Sequence, residues 1–255
     1  MKRSLLSIIK AVVLLLTLNI LASFFYARLD LTEDNRYTLA TAALNSVGDF
    51  SAPVIIDILL DGNLPPEFIK LKLETRQLLE EFASENKNIK FNFVNPLEGA
   101  TQIDGVITDL QALGLTPTNV TVEQNGKVSQ EIIFPWAMVN YNNSTVKVPL
   151  LKNKLGATTE ERVNNSVQHL EYAFADAFTK LNIKEKKKIA IIKGNGELGD
   201  IYMADYLTTI KDYYNIGAIT LDSVATNPEK VLEQLKGFDL ALIAKPTEAF
   251  SDEEK

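Results

Sequence analysis

The chain has 255 residues, of which 46% are hydrophobic and 23% charged, a balance typical of a folded globular protein of one or two domains. Its formal net charge of −7 disfavours sequence-independent nucleic-acid binding, which requires basic patches. Cysteine is absent, which excludes disulfides, thiol catalysis and cysteine-based zinc sites.

The first element is an apolar segment that predicts a transmembrane helix. Residues 4–26 carry one charge, Lys10, and as a helix they would extend about 34 Å, enough to cross a bilayer. Basic residues precede the segment and acidic residues follow it, so the positive-inside rule places the N-terminus in the cytoplasm. Aromatic residues 24–26 suit a membrane interface and leave no small-residue cleavage site. Residues 1–27 are therefore predicted to be a retained anchor rather than a cleaved signal peptide.

Residues 28–183 are predicted to form a mixed α/β domain. After a short helix near residues 40–47, two buried strands, Val54–Leu60 and Ile89–Val94, flank a helix that opens at Pro65-Pro66. Because a β-α-β unit places its strands side by side in one direction, these two strands are expected to be parallel.

Two antiparallel hairpins are predicted next. Asn125-Gly126 lies between two strand patterns and is typical of a type I′ turn. Asn142-Asn143-Ser144 connects the predicted strands Trp136–Tyr141 and Thr145–Leu150. The domain is therefore expected to mix parallel and antiparallel strands.

A capping box, Thr158-Thr159-Glu160-Glu161, predicts the start of one long helix. The apolar stripe of this helix is expected to pack into the core rather than onto a partner helix. The stripe consists of Val163, Val167, Leu170, Phe174, Ala177, Phe178 and Leu181. His169, the only histidine, would lie midway along this helix, and we interpret it as structural rather than catalytic.

Residues 184–255 are predicted to begin a second α/β domain with a parallel sheet. The charged run Lys184–Lys188 marks the boundary. Strand and helix patterns then alternate. Ser251, followed by the acidic residues Asp252, Glu253 and Glu254, resembles the N-cap and first turn of a helix. Three strands make a minimal sheet, so we expect the sequence to stop inside a larger domain.

The most suggestive loop for ligand chemistry is Gly194–Gly199, which follows a strand and precedes a helix as in dinucleotide-binding folds. Glu197 and Asp200 would, however, place negative charge where a pyrophosphate should meet the helix N-terminus. A tight turn with positive φ explains the glycines equally well. We therefore predict that the loop binds no dinucleotide, and no ligand spacing for a metal is present. No cofactor is predicted.

Several short motifs, in order along the chain, resemble those of the GldG-like family. They are Arg28-x-Asp30-Leu31-Thr32, Tyr37-Thr38-Leu39, Phe134-Pro135-Trp136-Ala137, Leu170-Glu171-Tyr172 and Gly194-x-Gly196-Glu197. These are auxiliary proteins of gliding-motility-associated ABC transporters in Bacteroidetes-type bacteria. The resemblance implies ABC permease and ATPase partners, and a second membrane helix near the C-terminus of the longer family members. One position departs from the family, because Asn195 replaces the usual histidine of the glycine loop.

The sequence therefore predicts a non-enzymatic periplasmic subunit of an ABC transporter linked to gliding motility, either substrate-binding-like or a scaffold. The inner membrane would hold it through one N-terminal helix. The candidate interaction positions are Arg28, Asp30, Tyr37, Trp136, Gly194, Gly196 and Glu197. The alternative is an extracytoplasmic nucleotide- or phosphate-binding enzyme that uses the loop Gly194–Gly199.

Overall fold

The computed structural model describes residues 10, 12–17, 38–124, 126–221 and 227–255. By contacts the chain divides into two units, Met1–Leu39 and Ala40–Lys255. In the first unit residues 12–17 are helical, and the apolar side chains of residues 12–16 are all exposed. Within the described residues no helix is both long and apolar enough to cross a bilayer. Most of the predicted anchor, residues 4–26, lies outside the described part of the chain.

The second unit is an α/β structure, and its described residues form three separate sheets. Its strands are β1 (Val54–Ile58), β2 (Ile89–Phe93), β3 (Thr118–Gln124), β4 (Lys127–Ile133), β5 (Trp136–Tyr141), β6 (Ser144–Pro149), β7 (Lys188–Lys193), β8 (Asn215–Thr220) and β9 (Leu240–Leu242). Its α-helices are α1 (Thr41–Val47), α2 (Pro66–Glu85), α3 (Ile103–Ala112), α4 (Thr159–Val167), α5 (Leu170–Asn182), α6 (Ala204–Ile210) and α7 (Pro228–Lys236). A 3-10 helix, Asp200–Met203, precedes α6.

A four-stranded mixed sheet forms the centre of residues 40–183, in the order β2-β1-β5-β6. β1 pairs parallel with β2, and β5 pairs antiparallel with β6, as the sequence predicted. The antiparallel pairing of β1 with β5 joins these two units into one sheet. Val54, Ile56 and Ile58 alternate onto one face of β1 and are fully buried. Asp57 points to the opposite face, where it accepts hydrogen bonds from Asn92 and Asn140. This period-two alternation turns one face of β1 into the core and leaves the other face, with Ile55 and Asp57, partly exposed.

Helices α1, α2 and α5 pack together with this sheet. Phe82 of α2 and Phe178 of α5 are fully buried, with ring centroids 5.1 Å apart in an edge-to-face arrangement. Burying an aromatic ring of this size stabilises the fold by about 2–3 kcal/mol. Pro65 and Pro66 occupy the N-cap and first turn of α2, as predicted, because proline has no N–H to leave unpaired there.

The hairpin β3–β4 forms a separate two-stranded sheet around Gly126, whose φ of 72° suits the predicted turn. Helix α3, which precedes it, was not predicted from the sequence. Its partly buried residues Ile107 and Leu110 pack against Leu115 and Phe134 of a small apolar cluster. The apolar spacing of Ile103, Val106, Ile107 and Leu110 is the helical signal for it.

The third sheet is parallel throughout, in the order β8-β7-β9, as expected for residues 184–255. β7 lies at its centre, and its residues Ile189, Ala190, Ile191 and Ile192 are all buried. A strand covered on both faces loses the alternation of an amphipathic strand and becomes continuously apolar. Helix α7 covers one face through Val231 and Leu235.

The structure corrects three local predictions. The long helix breaks at Gln168-His169 into α4 and α5, although the capping box at Thr158 and Glu161 is present. The helix predicted after the glycine loop begins as a 3-10 turn and ends at Ile210. Ser251 accepts a bond from the Glu254 N–H, but residues 252–254 form only a turn.

Candidate functional site

The glycine loop connects β7 to the 3-10 helix through residues in unusual backbone conformations. Gly194 and Gly196 have φ angles of 129° and 68°, which L-residues with a side chain rarely adopt. A Cβ on Gly196 would also overlap the hydroxyl of Thr247. The loop therefore requires glycine at 196 for two reasons, a positive φ and the close approach of a neighbouring segment.

That neighbouring segment, residues 244–254, is called the strap. The backbone N–H groups of Thr247 and Glu248 both donate to the carbonyl of Asn195 at 3.0 Å. The Thr247 hydroxyl donates to the carbonyl of Gly196 at 2.9 Å. The strap thus occupies the backbone carbonyls of Asn195 and Gly196 in the loop.

Two backbone amides of the loop donate hydrogen bonds within the protein. The backbone N–H of Asn195 donates to Oε2 of Glu197 at 2.9 Å, and the N–H of Leu198 donates to the carbonyl of Ala244 at the same distance. In a phosphate-binding loop such N–H groups bind the anion. Here the carboxylate of Glu197 occupies the position of an anion at the N–H of Asn195.

Asn195 is the buried centre of this arrangement, with 4% of its surface exposed. Its Nδ2 donates to Oε2 of Glu254 at 3.0 Å. The backbone N–H of Ser251 and this amide together hold the pKa of the Glu254 carboxyl below its usual value. Oδ1 of Asn195 and Oε1 of Glu197 are buried and have no protein donor among the described residues. No group of three or more potential metal-binding side chains is present in that part of the chain.

Lys193 supplies the positive charge beside the loop. Its ammonium lies 2.7 Å from Oδ1 of Asp200 and donates to the carbonyl of Leu198 at 2.9 Å. The lysine therefore connects the end of β7 to the start of the 3-10 helix and neutralises one of the two acids that the sequence places at this turn.

The remaining predicted positions lie elsewhere. Trp136 begins β5, is half-buried beside the cluster of Leu115 and Phe134, and donates its indole N–H to the carbonyl of Thr116 at 2.9 Å. This hydrogen bond and the apolar contacts of the ring explain the residue as part of the fold. The structure does not bring Trp136 to the glycine loop, since the two contact different sheets. Arg28, Asp30 and Tyr37 lie outside the described residues.

Sequence reasoning missed a charged junction between α5 and the segment after α6. Lys180 of α5 lies 3.0 Å from Asp176 and 2.8 Å from Asp212, and the Tyr213 hydroxyl donates to Asp176. Burial and this bond to Asp176 raise the pKa of Tyr213 to about 12. Burial alone would lower the pKa of Lys180, but the bonds to Asp212 and Asp176 outweigh it and raise the value. The sequence alone does not indicate this cluster, because its two halves lie more than thirty residues apart along the chain.

Comparison with known proteins assigns two parts of the chain. Residues 186–255, which contain the glycine loop and the strap, match a family described as an ABC-type uncharacterized transport system. This match supports a transport-associated auxiliary role for the chain. Residues 33–140 match a domain of unknown function (DUF7088). Searches of curated proteins and of solved structures gave no match.

Proposed function

We propose that the chain is a membrane-anchored periplasmic subunit of an ABC transporter linked to gliding motility, acting as a scaffold or substrate-binding-like component. The observation that carries this proposal is the match of residues 186–255 to an ABC-type transport system. The link to gliding rests on the family resemblance of the motifs from Arg28 to Glu197.

Support for the anchor comes from the N-terminal segment. Val12 to Leu16 are exposed around all sides of a helical stretch. A helix that is apolar all round is typical of a protein interior or a membrane rather than of a surface facing water. Thr17 donates its hydroxyl to the carbonyl of Val13 at 2.8 Å, which satisfies that donor without water.

A binding role without catalysis is favoured by how the glycine loop is used. Its Asn195 and Leu198 amides already have acceptors in Glu197 and Ala244, and the strap contacts its carbonyls. A nucleotide would have to displace these contacts and meet the charge of Glu197. The enzyme alternative therefore receives no support from this loop.

Copurification tests the proposed partners. The full-length protein, recovered from its own membrane in a mild detergent, should bring down an ABC permease and an ATPase detected by mass spectrometry. Repeated recovery of the chain without any ABC subunit, under conditions that preserve other inner-membrane complexes, would count decisively against the proposal.

A pair of variants tests the loop within that experiment. Glu197→Gln removes the charge but keeps an oxygen that can accept the bond from Asn195. Glu98→Gln makes the same change at an exposed glutamate in another turn and serves as the matched control. If the carboxylate of Glu197 takes part in assembly, the first variant should lose the ABC subunits while the second retains them.

A further inference from the structure

A small pocket lies where the chain leaves β6 and where α4 meets α5. Its volume is about 110 Å³, and its lining consists of Pro149, Leu150, Lys152, Ser166, His169 and Leu170. A cavity of about 10–15 Å³ already holds one water, so this pocket is several times larger than a single-water site. The pocket can therefore accept a ligand of several heavy atoms.

The walls of the pocket divide into an apolar and a polar part. Pro149, Leu150 and Leu170 supply apolar surface, and the latter two are almost fully buried and fixed in the core. Ser166 is also buried, and its hydroxyl donates to the carbonyl of Arg162 while accepting the backbone N–H of Lys152. The serine thus holds the wall in place, and its donor is already used.

The polar part consists of the exposed side chain of Lys152 and the half-buried imidazole of His169. Among the described residues, neither the ammonium of Lys152 nor the imidazole of His169 forms a hydrogen bond or an ion pair. The imidazole instead stacks at a tilt on Tyr172, with ring centroids 5.0 Å apart, and Tyr172 is itself exposed. The helix break at Gln168-His169 places the imidazole at this pocket rather than in the middle of a continuous helix.

The ammonium of Lys152 brings positive charge to the pocket of a protein that is acidic as a whole. Burial and then the nearby charge of Lys152 lower the pKa of His169, while Asp176 acts in the opposite direction. A cationic lysine and an imidazole N–H together favour an anion, and the apolar wall favours an aliphatic group attached to it.

We propose that this pocket binds a carboxylate carried by a short aliphatic chain, with Lys152 and His169 contacting the carboxylate. The aliphatic part lies against Pro149, Leu150 and Leu170. Such a group is supplied by a free small carboxylic acid or by a glutamate side chain of a partner protein, and these two sources share the same chemistry.

The single histidine gives this proposal a specific probe. The full chain, in detergent micelles, without a histidine tag and labelled with ¹³C at histidine Cε1, gives one imidazole resonance whose pH titration reports on His169. Butyrate should move the resonance in a saturable manner and raise the titration midpoint by about half a pH unit, because a bound anion favours the protonated ring. Butyramide, which is neutral, should cause neither change.

Two lysine variants test the site. Lys152→Gln should weaken butyrate binding at least about tenfold, equivalent to roughly 1.4 kcal/mol. Lys154→Gln, in the same loop but outside the lining, should bind as the unaltered chain does. Should Lys152→Gln fail to fold, Lys152→Arg retains the charge and is expected to retain binding.

A capped glutamate, N-acetylglutamate α-amide, separates the two sources of carboxylate. Tighter binding of butyrate assigns the pocket to a free carboxylic acid, and tighter binding of the capped glutamate assigns it to a partner protein. A resonance that stays unchanged with both ligands at about 20 mM, a concentration at which even a millimolar dissociation constant would be detected, would overturn the proposal. So would equal shifts with butyramide, or equal weakening by the two lysine-to-glutamine variants.

Discussion

The ammonium of Lys180 lies 2.8 Å from the carboxylate of Asp212, and this ion pair joins helix α5 to the segment that leads into β8. The same lysine pairs with Asp176, which accepts the hydroxyl of Tyr213. The predicted boundary at residue 184 thus falls between two regions that the structure connects by a charged cluster. Such a cluster of partly buried groups is more effective than an isolated surface pair, because Lys180 and Asp176 each have two partners.

This junction predicts a loss of stability at alkaline pH. The pKa of Tyr213 is raised to about 12 in the folded chain, so its contribution is fully present below pH 10 and is lost as the pH rises through about 12. Denaturant unfolding of the full chain should show that the free energy of unfolding falls by about 1 kcal/mol over that pH range, after allowance for solvent screening. Tyr213→Phe should show a smaller fall. Tyr214→Phe, at an exposed neighbour, should behave as the unaltered chain, and identical curves for all three proteins would contradict the assignment.

The glycine loop predicts a large cost for a single methyl group. Gly196→Ala places a Cβ at a φ of 68° and against the hydroxyl of Thr247, so we expect a loss of about 2–4 kcal/mol in the free energy of unfolding. Gly99→Ala is a matched control, because Gly99 has a φ of 71° but open space where the Cβ would be. It should cost only about 1 kcal/mol. Equal costs at the two sites would show that the strap does not press on the loop.

The burial of Asn195 predicts a pH-dependent variant. Asn195→Asp places a third carboxylate beside Glu197 and Glu254, so the variant should be about 1–3 kcal/mol less stable than the unaltered chain at pH 7. Protonation of one of these acids relieves the repulsion, and the deficit should shrink as the pH falls from 7 to 5. Denaturant unfolding at several pH values measures this, and a deficit that grew on acidification would refute the explanation.

The N-terminal segment predicts a topology. With residues 4–26 across the membrane and the chain from about residue 28 onward in the periplasm, protease added to spheroplasts should digest the α/β region. A cytoplasmic marker protein, which should stay intact, controls for lysis. Full protection of the α/β region until the membrane is broken would reverse the proposed orientation.

The sequence alone determined most of the elements of residues 40–255 and their pairing. The apolar run at Val54–Leu60, the turn signal at Asn125-Gly126 and the capping box at Thr158 are local patterns, and each depends on a few neighbouring residues. The apolar run at Ile189–Ile192 likewise predicted a strand of a parallel sheet, and the structure places that strand at the centre. The glycines at 194 and 196 also predicted a tight turn, because a positive φ depends only on the residue that adopts it.

Only the tertiary structure decided what surrounds these elements. The strap lies about 50 residues from the loop that it contacts, Asp176 and Tyr213 are far apart along the chain, and the pocket at His169 depends on a helix break. Such contacts form because packing brings distant groups together, and no periodicity in the sequence records which groups will meet. The sequence alone presents His169 as an isolated residue on a helix. The residues that face it across the pocket, Pro149 to Lys152, precede it by about twenty positions.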